Sequence, residues 1–96
     1  MSSRNRIKIV EDIIADNASA RVVDHLIDAF GYAVERIAPT LAHTAAFRLD
    51  DFATARKRGI AGFTLELRRE RVDDREIWIG EFEKAGQHVR IRAALG

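Results

Sequence analysis

The stretch that decides the fold is Ile60–Leu95, IAGFTLELRRERVDDREIWIGEFEKAGQHVRIRAAL. Taking Asp73-Asp74 and Ala85-Gly86 as the centres of two hairpin turns sets Leu67 opposite Gly80, and Gly80 opposite Ile91. Side chains alternate between faces along a strand, so in this register Phe63, Leu65, Leu67, Trp78, Phe82, Val89, Ile91 and Ala93 share one face. A slip of one residue would scatter them. The segment therefore reads as a three-stranded antiparallel meander. Gly80, on the central strand, leaves a notch between Leu67 and Ile91 that a crossing helix could enter.

Upstream, Val23, Leu26, Phe30, Ala33 or Val34, and Ile37 step along one face of a helix from about Ser19 to Ala38. Ser19 supplies an N-cap, and Pro39 stops the helix by disfavouring helical geometry at the residue before it. Ile7, Val10, Ile13 and Ile14 recur at three and four, which predicts a short first helix ending near Asp16-Asn17. The alternation within Ile7-Lys8-Ile9-Val10 leaves a strand as the alternative. Met1 to Asn5 reads as a polar, mobile start. Pro39 to Arg48 carries no decisive pattern and fits a helical turn, a loop or the start of a third helix. Asp50-Asp51 followed by Arg56-Lys57-Arg58-Gly59 places charge of each sign at the matching end of a short helix dipole, with a glycine to close it.

These elements predict one α+β domain over residues 1–96: N-terminal helices, two or three of them within about 6–59, packed on one face of a C-terminal three-stranded meander over about 60–95. A chain of 96 residues with 47% hydrophobic content buries roughly 60–65% of its unfolded surface. It has no cysteine, hence no disulfide framework, and a cytoplasmic location is expected. Arg4, Arg6 and Lys8 are followed by only two apolar residues before Glu11-Asp12, unlike a signal peptide, and no apolar run suits a membrane span. Sixteen basic and fifteen acidic residues give a net charge of +1, too little for a whole-protein field that attracts nucleic acid.

The second face of the meander is mixed. Glu81 and Arg90 stand opposite as a cross-strand ion pair, but Ile77 and Ile79 form an aliphatic centre, extended by Val72 and Ala94 and rimmed by Arg68 and Arg92. The N-terminal segment or the stems of Arg68 and Arg92 could cover it. If they do not, Val72, Ile77, Ile79, Arg68 and Arg92 make a partner interface, an apolar centre with an arginine rim. An unpaired sheet edge is a second route to a dimer.

Chemistry is thinly represented. His25, His43 and His88 occupy unrelated contexts, and only His25 with Asp24 and Asp28 could share a helix face, where the reading as a solvated face competes with a metal-dependent enzyme. The serines are confined to Ser2, Ser3 and Ser19, and no nucleophile elbow or phosphate-binding glycine loop occurs. No catalytic residue, metal ligand or cofactor is assigned. Arg56, Lys57, Arg58, Arg69 and Arg71 suggest a nucleic-acid regulator, because a short basic helix followed by a basic hairpin has the topology of a winged helix. Glu70, Asp73, Asp74 and Glu76 neutralise that hairpin tip. The expectation is a non-enzymatic interaction or assembly module that self-associates as a homodimer through the second sheet face or a sheet edge. A different protein is the other partner such a surface admits, and the nucleic-acid regulator is the alternative.

Overall fold

The computed structural model describes residues 7–52 and 54–95, and side chains for 10–52 and 54–94. The expected polar start, Met1 to Asn5, lies outside them. The element order is β1 (Ile7–Asp16), α1 (Ala20–Ile37), β2 (Thr44–Arg48), β3 (Thr64–Val72), β4 (Arg75–Lys84) and β5 (Gln87–Leu95), with a 3-10 turn at Leu49–Asp51. All five strands form one antiparallel sheet in the order β1-β5-β4-β3-β2. The fold is α+β, with one helix on one face of the sheet.

The meander has the register read from the sequence, with Leu67 opposite Gly80 and Gly80 opposite Ile91. Both turns place residues at positive φ: Asp73 at 51° and Asp74 at 63°, then Ala85 at 33° and Gly86 at 86°. Tight two-residue hairpins need this left-handed geometry, because its twist matches that of the flanking strands. α1 begins where Ser19 Oγ accepts from the Val22 N–H at 3.2 Å and ends just before Ala38-Pro39. Its buried residues Leu26, Ala29, Phe30, Ala33 and Val34 meet Leu65, Leu67, Trp78, Phe82, Val89 and Ile91 in the core. Gly80 is the point of closest approach: a β-carbon there would lie 2.6 Å from Phe30 Cδ1, so the notch receives the ring.

Three expectations are corrected. The N-terminal helix is a strand, β1, which pairs with β5 and extends the meander. The described residues of 50–59 form no α-helix; the 3-10 turn precedes turns over 54–59, with Gly59 at φ 73°. Asp50 Oδ1 accepts from the Gly62 N–H at 2.7 Å, so this carboxylate braces a loop instead of capping a helix. Residues 44–48, which carry no decisive pattern, form β2 against β3. The three-stranded meander is thus the centre of a five-stranded sheet, and α1 is the one α-helix among the described residues.

Candidate functional site

Of the interface residues expected on the second face, Ile77 and Ile79 are buried within the chain, whereas Val72 and Arg68 are exposed and Arg92 is half-buried. Ile77 is 1% exposed and Ile79 3%, and together with Ala94 they form a small buried cluster of their own. β1 sends one side chain toward them. Arg75, on β4, forms an ion pair with Glu11, on β1, and the Glu11 carboxylate also lies 3.5 Å from Arg92 Nε. β5 lies between β1 and β4, so this bridge crosses the sheet beside Ala94 and Ile77. Arg68 is turned to Glu70 at 2.7 Å, and only Val72 of the aliphatics expected there is exposed. The exposed patch expected around Ile77 and Ile79 is therefore absent, and the segment expected to be a helix is a strand whose Glu11 reaches the arginines beside them.

The basic residues are dispersed. Arg69 is pulled inward: its guanidinium lies 4.5 Å over the Trp78 ring, and Nη2 donates to Ile37 O at 2.8 Å and Thr40 O at 3.2 Å. A cation at the negative end of a helix dipole is favourable, and Arg69, sharing Ile37 O with the Thr40 N–H and hydroxyl, ties the end of α1 to the sheet. Arg58 pairs with Asp28 at 3.2 Å, and Arg71 donates to Asp74 O across the hairpin turn. Arg56 and Lys57 are exposed on the turns where a helix was expected. With neither that helix nor a free arginine at position 69, the helix-and-wing arrangement does not form.

The same salt bridge occupies Asp28, which the sequence groups with His25 and Asp24 as metal-ligand candidates. Among the described residues no cluster of three His, Asp or Glu side chains is placed to hold a metal ion. His88 Nε2 and Glu81 Oε1 lie 2.7 Å apart on the second face, while Arg90 stands 3.8 Å from the other Glu81 oxygen. These are cross-strand pairs that tie β4 to β5. A groove of about 440 Å³ runs between α1 and the 51–60 segment, and of its charged lining residues Asp28 and Arg58 are paired with each other.

What remains unpartnered is a sheet edge. β1 is ten residues long and is bonded on one side only, by β5. Its pairing is interrupted by bulges between Ile7 and Ile9 and between Val10 and Asp12. Val10 and Ile13 stand opposite Ala93 and Ile91, on the helix face, whereas Ile14 stands opposite Arg90 on the other. All three are exposed, at 39%, 37% and 47%. No protein-family model, curated protein or solved structure matches this chain.

The site therefore rests on the geometry of β1. A long edge strand offers a row of backbone donors and acceptors, and aliphatic side chains on both of its faces make strand addition favourable by burial as well as by hydrogen bonding. The sequence carries a signal for this edge in the isoleucines of residues 7–14, but their spacing conceals the strand. No helix among the described residues is long and apolar enough to cross a membrane.

Proposed function

We propose that this chain is a non-enzymatic assembly module that self-associates by adding a strand of a second copy to the outer edge of β1. The observation that carries the reading is an edge strand of ten residues that leaves Val10, Ile13 and Ile14 in solvent on both sides of the sheet. Strand addition obtains affinity from main-chain hydrogen bonds and specificity from the alternating side chains beside them. The absence of a catalytic motif in the sequence agrees with an assembly role.

Sedimentation velocity tests it. The wild type is expected to sediment as a dimer, and Ile13→Lys, which places a charge within the added strand, as a folded monomer with an unchanged circular dichroism spectrum. Ala46→Lys, on the exposed side of β2, is the matched control and leaves the dimer intact. A wild type that stays monomeric at several hundred micromolar ends the proposal.

A further inference from the structure

Resting on that self-association reading, we infer that the two copies join β1 to β1 antiparallel about a two-fold axis, with Val10 of each opposite Ile13 of the other. A two-fold interface is built from one patch used twice, so the patch must be complementary to itself. With the axis perpendicular to the sheet, residues that face each other must also lie on the same side of it.

The bulges make this requirement selective. Val10 and Ile13 lie on the helix face, by their pairing with Ala93 and Ile91. Asp12 and Ile14 lie on the other face, opposite Arg92 and Arg90, and the ion pairs of Glu11 with Arg75 and Arg92 put it there as well. Setting Val10 against Ile13 then matches faces over the centre of the strand, where Glu11 meets Asp12 on the other face. Centring the axis on Asp12 instead would set Val10 against Ile14, on opposite faces. Centring it on Ile13 matches only Asp12 to Ile14 and sets Glu11 against Ala15, which stands opposite Val89 on the helix face. Centring it on Ile14 keeps faces matched but sets Val10 beyond the end of the partner's β1 and leaves it in solvent.

In the favoured register Val10 and Ile13 of both copies form an apolar quartet on the helix face. On the other face Glu11 and Asp12 of each copy meet beside Arg75 and Arg92, two acids with two cations per copy, so the charge at the axis is balanced. The two five-stranded sheets would run on as one.

The cysteine-free chain permits a direct test. Val10→Cys/Ile13→Cys is expected to form a covalent dimer under mild oxidation that dithiothreitol dissolves, since directly opposite residues bring their β-carbons within about 5.5 Å, near disulfide reach. Neither single cysteine variant should cross-link. Cross-linking of Ile13→Cys alone or Ile14→Cys alone would identify the rejected registers and overturn the inference. A second test avoids cysteine: Val10→Lys and Ile13→Glu are each monomeric alone, and their mixture sediments as a heterodimer because the introduced ammonium of one copy then faces the introduced carboxylate of the other. A wild-type dimer whose double variant does not cross-link and whose charge variants do not pair refutes this register while leaving self-association in place. A wild type that is monomeric refutes both.

Discussion

The two edges of the sheet occupy equivalent positions and are finished in different ways. β2 has five residues; Ala45 and Phe47 turn half-buried toward the helix face, while Thr44, Ala46 and Arg48 face solvent. The Phe47 ring is closed over by Phe52 at 6.2 Å and by the Arg36 guanidinium at 5.8 Å. β1 is twice as long and leaves three aliphatics exposed. Geometry explains the asymmetry. Four interstrand spacings of about 4.8 Å set the outer strands of a five-stranded sheet ~19 Å apart, whereas one helix is about 10–12 Å wide. α1 lies over β4 and β5 and cannot cover both edges. On the β2 side the connection to β3 completes the core with Leu49, Ala55, Ile60 and Phe63. On the β1 side no described segment does the same, and a second copy is the proposed cover.

The substitution with the largest expected effect strikes what both edges share. In Gly80→Val the added β-carbon would stand 2.6 Å from Phe30 Cδ1, an atom of a buried ring, and 3.2 Å from Leu65 Cδ1. Overpacking of this kind costs up to about 3 kcal/mol. Since the clash lifts α1 from the centre of the sheet, the amides of β1 and β2 should lose hydrogen-exchange protection together. Loss at one edge alone would mean that the helix does not couple them.

A smaller and one-sided effect is expected for Arg69→Ala. Its guanidinium joins Ile37 O, at the end of α1, and Thr40 O to Trp78, and its backbone N–H bonds His43 O just before β2. Loss of charged hydrogen bonds from a largely buried arginine should cost about 2 kcal/mol. Exchange at Thr44–Arg48 should accelerate while β1 is untouched. Equal acceleration at both edges would remove the distinction between them.

The meander, its turns and α1 are legible in the sequence because each obeys a single period, and their packing is local in sequence or fixed by a tight turn. β1 is not, for a physical reason visible at its bulges. A bulge inserts one residue into a two-residue repeat, so the helix-face residues Val10 and Ile13 stand three apart instead of two. That spacing mimics one face of a helix. The burial of Ile77 and Ile79 is hidden as a consequence, since the strand that brings Glu11 to their flank carries a helical spacing. β2 is obscured differently: its alternation is carried by small residues, Ala45 and Ala46, which give little contrast between faces. The charge pattern of residues 50–59 fits a helix dipole, yet Asp50 is used on the Gly62 N–H, and Arg58 on Asp28.

The smallest effect concerns how firmly β1 is attached before any partner arrives. Glu11 touches two arginines, and all three side chains retain solvent contact. Exposed ion pairs contribute about 0–1 kcal/mol because water screens the attraction and holding long side chains costs entropy. Glu11→Gln should therefore lower stability by less than about 1 kcal/mol in urea titration at fixed protein concentration, and the difference from wild type should shrink as salt rises. A loss of about 3 kcal/mol or more that salt leaves unchanged would have a different meaning. It would show that the Arg75–Glu11–Arg92 bridge behaves as a buried network over Ile77 and Ile79. β1 would then be as tightly finished on its inner side as β2, and the contrast between the edges would reside in the outward aliphatics alone.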